Sequence, residues 1–156
     1  MMTGKIDYFV LSDFNIAQTP VPVHVGDMIL KYHINPGELV REEIGYAMWP
    51  SERSSWRPRV WEIARGRSGN SQHCYGEKPD GTFDLEAKGA TDWTCRNFLV
   101  NKDDFLEAII NFTQYTRIAV YNTFIHCDYK VTNSGRRELY SSDSNSNWVL
   151  KRVLDE

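Results

Sequence analysis

A chain of 156 residues is long enough for one domain with a modest core and short for two. Hydrophobic residues at 41%, charged at 25% and aromatic at 13% sit near globular averages, which excludes disorder and fibrous repeats. Eighteen basic against twenty-one acidic side chains give a net charge of -3, without the positive excess that nucleic acid selects.

No window approaches the roughly 20 consecutive apolar residues of a membrane span, and Met1 to Asp7 is no charged start to a signal segment. The expectation is a protein made in the cytoplasm. Cys74, Cys95 and Cys127 are sparse, odd in number and lack a CxxC pair, so they read as free thiols.

In chain order, alternation through Tyr8, Val10 and Phe14 predicts an edge strand, ended by Thr19-Pro20-Val21-Pro22. Residues 1–34 thus read as an N-terminal arm. Val23 to Tyr32 is short and apolar and fits strand or helix equally. Asn35-Pro36-Gly37-Glu38 predicts a capped helix start, with a helix to Ile44 and a stop at Gly45.

Tyr46 to Pro50 reads as a strand entering a loop. RGRSGN at Arg65 to Asn70 has loop composition, and Glu77 to Lys88 is a polar insertion with a Pro79-Asp80-Gly81 turn. Gly89 to Cys95 reads as a strand, and Asp103 to Phe112 as a core-packing helix. Arg117 to Tyr121, Phe124 to Tyr129 and Trp148 to Val153 complete the strands, the last after an SSDSNSN turn. The fold class is α+β, a small antiparallel sheet with flanking helices in a single domain over residues 1–156.

The histidines are His24, His33, His73 and His126. On a strand, His126 and Asp128 of His-Cys-Asp share one face and Cys127 takes the other. His73 lies beside glycine-rich backbone. Two histidines and an aspartate can hold zinc and leave a fourth tetrahedral position for water. His24 reads as a satisfied polar residue at a surface or core edge, and His33 as locally hydrogen-bonded.

The ordered segments SSWRP, GNSQHCYG, GATDW and VYNTFIHCDY, within Ser54 to Tyr129, resemble the zinc D-alanyl-D-alanine peptidases. Lysostaphin-type and hedgehog-type domains belong to the same superfamily. The resemblance covers about half of the chain and implies a hedgehog/D,D-peptidase-like fold. It also implies zinc ligands at His73, Asp92 and His126, with Arg57 meeting a substrate carboxylate or the developing oxyanion, and Ser71 contacting substrate or orienting a ligand. The implied activity is hydrolysis of stem peptides of bacterial peptidoglycan, by a D,D-carboxypeptidase or an endopeptidase. Phage lysis proteins and virion-associated hydrolases have a similar tail-free design, and reach the wall without a signal of their own.

Two positions depart from the family pattern. Seven residues after the first histidine, where the compact motif has its aspartate, stands Asp80, inside a turn; Gly89-Ala90-x-Asp92 keeps the small-residue context and makes Asp92 the preferred ligand. Three residues before the last histidine, where many relatives carry glutamate, stands Thr123. Asp128 is then the candidate general base, with a hydrogen bond to a metal ligand as its other reading, and Glu77 a weaker candidate. Trp56, Tyr75 and Trp93 are read either as cleft lining or as core. A noncatalytic muropeptide-binding domain, kept open by Thr123, and a virion structural protein, with the Pro-rich arm and a C-terminal hairpin as contact surfaces, are the alternatives.

Overall fold

The computed structural model describes residues 8–142 and 147–154. Among them is a six-stranded sheet in the order β1-β2-β4-β3-β5-β6, built from β1 (Met48–Pro50), β2 (Ala90–Cys95), β3 (Arg117–Val120), β4 (Ile125–Asp128), β5 (Glu138–Ser142) and β6 (Trp148–Val153). Neighbouring strands pair antiparallel except β3 with β5, which run parallel from Arg117 opposite Glu138 to Val120 opposite Ser141. The α+β expectation holds. β5 was not foreseen, because Glu138 to Ser142 (ELYSS) ends in two serines and lacks an alternating apolar face.

Among the described residues the N-terminal edge strand is replaced by a 3-10 turn, Leu11–Phe14, followed by an isolated bridge from Asn15 to Trp56. Period-2 alternation over so few residues loses to packing: Phe9 and Phe14 are buried against Trp93, with ring centroids 5.3 and 5.5 Å away. The segment Val23 to Tyr32, open between strand and helix, is helical: α1 (Val23–Ile29) runs through a π-helical stretch, Leu30–Ile34, into α2 (Asn35–Ile44).

Asn35 therefore does not cap a helix start, since the chain arrives there already helical. Pro36 has no N–H to offer the carbonyl four residues back, and the π turn absorbs that break. Asn35 N–H reaches Leu30 O, and the Tyr32 carbonyl accepts the Tyr129 hydroxyl at 2.8 Å. Gly45 ends α2 in the left-handed region as expected.

α3 (Arg59–Ala64) was also unforeseen, its six residues being too short for a helical period to declare itself. α4 (Phe98–Phe112) starts five residues before the predicted Asp103 and buries Phe98, Phe105, Ala108 and Ile109. The core includes these together with Val25, Ile29, Val40, Ile118, Ile125 and Cys127. Cys74, Cys95 and Cys127 are buried free thiols, as read from the sequence. The SSDSNSN turn falls partly outside the described residues, as does Met1 to Asp7. No helix among the described residues is long and apolar enough to cross a membrane.

Candidate metal centre

β4 alternates as its sequence predicts: Ile125 and Cys127 enter the core, while His126 and Asp128 face the opposite way. Its antiparallel neighbour β2 sets Asp92 directly across from His126 and sends Trp93 and Cys95 into the core. The third group, His73, comes from a short 3-10 turn, Gln72–Cys74.

An extended strap, Ser54 to Arg57, ties these pieces together. Ser54 O accepts the Asp92 amide at 2.9 Å, and the Arg57 amide donates to His73 O at 2.8 Å. His73 Nδ1 lies 2.9 Å from Ser55 O. A carbonyl can only accept, so Nδ1 carries the proton and Nε2 presents its lone pair.

That Nε2 stands 3.2 Å from Asp92 Oδ1, and His126 Nδ1 stands 2.9 Å from the same oxygen. All three side chains are buried and offer ligand atoms within 4.8 Å of one another, so the group can hold a metal ion. Donors at roughly 2.0–2.1 Å from a tetrahedral zinc stand about 3.3 Å apart, close to the two shorter separations. Two imidazoles and a carboxylate form a donor set that suits zinc and other divalent ions.

Asp92 Oδ2, turned away from the histidines, accepts Ser54 Oγ at 2.9 Å and Arg57 Nη2 at 3.2 Å. Burial opposes its charge, yet the His73 and His126 interactions outweigh burial and hold its carboxyl well below the usual range. Burial also lowers the His73 pKa against the pull of Asp92. At His126 burial is overcome by the carboxylates of Asp128 and Asp92, which raise the imidazole to about 9. An ion bound at Nδ1 must expel that proton.

Asp128 lies on the far side of the His126 ring, its Oδ2 2.8 Å from Nε2. Arg117 grips the same carboxylate, with Nε 2.9 Å from Oδ1 and Nη2 2.5 Å from Oδ2. Burial is again outweighed, by the bonds from His126 and Arg117, so the group stays ionised far below its ordinary pKa. The carboxylate thus orients the imidazole, accepting the Nε2 proton and turning Nδ1 toward Asp92.

The three groups lie at the floor of an open cleft of about 420 Å³, whose walls include Arg57, Ser71, Tyr121, Phe124, Lys130 and Trp148. Trp56, Tyr75 and Trp93 are core residues instead, at 4%, 1% and 1% exposure. The cleft aromatics come from β6 and the β3–β4 connection: the Trp148 ring packs 5.4 Å from His126, and its Nε1 donates to Tyr121. Asp80 is an exposed turn residue that accepts from the Thr82 amide, away from both histidines. Glu77 accepts the Arg59 amide and does not line the cleft.

Arg57 is not a free cation. Beyond Asp92 it reaches Ser54 Oγ at 2.9 Å and Glu62 Oε2 at 3.3 Å, and Ser71 Oγ donates to the same Glu62 oxygen at 2.5 Å. Burial is outweighed at Glu62 by bonds from Ser71, Cys74 and Arg57, which keep it below its ordinary value. Glu62 and Arg117 escaped the sequence reading. Glu62 sits on the unforeseen α3, and Arg117 faces Asp128 only through the β3–β4 register.

His33 also differs from its reading as locally bonded. Its Nδ1 lies 2.8 Å from Tyr115 Oη and 2.9 Å from Thr91 Oγ1, and its Nε2 lies 2.8 Å from Lys88 O, all far away in sequence. Thr91 Oγ1 continues to Ser55 Oγ, so a fully buried polar chain backs the strap that holds His73. Comparison of the chain with family models, with curated proteins and with solved structures finds no match.

Proposed function

We propose that this protein is a zinc-dependent peptidase acting on stem peptides of bacterial peptidoglycan, as a carboxypeptidase or an endopeptidase. The observation that carries the proposal is the meeting of His73, Asp92 and His126, with His73 Nε2 3.2 Å and His126 Nδ1 2.9 Å from Asp92 Oδ1, in an open cleft. The ordered sequence resemblance supplies the substrate class, and it also implies action at the cell wall, with phage-mediated release or a place in the virion as routes.

Zinc held by these three groups supplies a Lewis acid for the carbonyl and lowers the pKa of a bound water. The chain's own residues prepare that centre. Ser55 O and Asp128 fix the two imidazole tautomers, and Ser54 and Arg57 turn one oxygen of Asp92 away so that the other faces the histidines. Arg57, 13% exposed in its side chain, retains a face at the cleft from which it can stabilise developing negative charge. Asp128, gripped by Arg117, serves as an orienting group here in preference to a general base.

The test is zinc stoichiometry of the purified protein together with release of D-alanine or peptide fragments from peptidoglycan, with and without chelator. Chelator-sensitive release supports the proposal. Bound zinc without any turnover favours a noncatalytic muropeptide-binding domain, and absence of zinc under saturating supply removes the metallopeptidase reading.

A further inference from the structure

Arg57 stands between two buried carboxylates. Its Nη2 is 3.2 Å from Asp92 Oδ2 and its Nη1 is 3.3 Å from Glu62 Oε2, with the Glu62 side chain 1% exposed and that of Asp92 5%. Burying a carboxylate is costly without compensating partners, and none of the chemistry proposed above uses Glu62. The same Glu62 oxygen also takes the Ser71 hydroxyl. One carboxylate on α3 therefore holds Arg57 and Ser71, two of the side chains that line the cleft with His73, Asp92 and His126.

Charge balance gives this arrangement a purpose. A guanidinium beside a metal-binding carboxylate competes with the cation for the same negative charge. With Glu62 as a second counter-charge, Arg57 can lie against Oδ2 and orient Asp92 without neutralising it. Removing the Glu62 charge leaves Arg57 with Asp92 alone.

We infer that Glu62 is a positioning residue, which shares the charge of Arg57 and so sets how tightly the His73, Asp92 and His126 group holds a divalent cation. This inference rests on the metal reading above. It requires no contact between Glu62 and substrate.

The experiment is titration of zinc against a competing chromophoric chelator, on the full chain, with folding checked by circular dichroism. Glu62→Gln is expected to bind zinc about tenfold or more weakly than wild type, the range found for partners that orient metal ligands. Glu62→Gln combined with Arg57→Gln removes the competing charge as well, and its affinity is expected to return to within about threefold of wild type, a coupling that independent sites would not show. Wild-type affinity in folded Glu62→Gln, or a double variant as weak as the single one, overturns the inference. If Glu62→Gln does not fold, the double variant is compared with wild type directly, and a loss beyond about tenfold overturns it. Wild-type protein that takes up no zinc sinks the metal reading itself, which separates the two failures.

Discussion

Asp92 and His126 are direct partners across the β2–β4 pairing, and their side chains meet at 2.9 Å on the face opposite the core. Strand register therefore sets two of the three groups that could hold a metal ion. A slip by one residue would turn His126 into the core and bring Cys127 out, so the burial of Ile125 and Cys127 also holds the His126 imidazole in place.

Loss of a ligand should abolish metal binding, and loss of the alternative aspartate should not. His73→Ala and Asp92→Ala are expected to lose zinc in equilibrium dialysis, while Asp80→Ala keeps full stoichiometry. Zinc retained by Asp92→Ala would contradict the assignment, since Asp92 Oδ1 is the atom both imidazoles approach.

Asp128→Asn separates orienting from proton transfer. An amide cannot hold the His126 tautomer as a carboxylate does and leaves Arg117 without its bidentate partner. Zinc affinity should fall by about 10–100-fold. Unchanged zinc affinity with turnover abolished would instead restore Asp128 as general base.

Gly89→Ala and Gly45→Ala share the left-handed penalty, since φ is +77° and +78° at the two sites. A Cβ at Gly45 meets nothing within 4 Å, whereas one at Gly89 would lie 2.1 Å from the Tyr75 ring. Gly45→Ala should cost about 1 kcal/mol, and Gly89→Ala about 1–3 kcal/mol more because the buried ring cannot move aside freely. Urea unfolding measures both, and equal losses would argue against the ring contact.

His33 makes stability depend on acid. Burial pushes its pKa down from 6.5 to about 3, so the folded chain keeps the imidazole neutral while the unfolded chain takes up a proton. Between these values the unfolded state binds more protons, and stability falls as pH drops, by roughly 1.4 kcal/mol per pH unit. His33→Gln should flatten this part of the profile in urea unfolding at pH 4.5 and 7. Identical slopes in variant and wild type would assign the acid sensitivity elsewhere.

The site was legible where chemistry is local. The Asp80 turn follows from Pro79 and Gly81, and the shared face of His126 and Asp128 follows from strand alternation. Trp148 to Val153 was read with its final boundaries, because strand-favouring residues and a preceding turn signal agree there. What remained hidden depends on contacts between distant segments. Arg117 meets Asp128 through a strand register, and Glu62 reaches Arg57 from a six-residue helix. The helical path through Pro36 depends on a hydroxyl ninety-seven residues from the carbonyl it relieves.

The polar loop between the first histidine and the aspartate closes on itself. Asp84 N–H returns to Gly76 O, Lys78 N–H to Thr82 O, and Glu77 bridges Phe83, whose ring rests against His24. At its start Gly76 packs against Asp84 and Ala87 of the same loop, and at its end Gly89 packs against the Tyr75 ring, so the detour leaves and rejoins the body of the protein at closely packed glycines. Glu77, which accepts the Arg59 amide, and Lys88, whose carbonyl meets His33, tie the loop to the body of the protein, so the stretch between them, 78–87, is where evolution or an engineer can trim, lengthen or exchange material at least cost to ion binding.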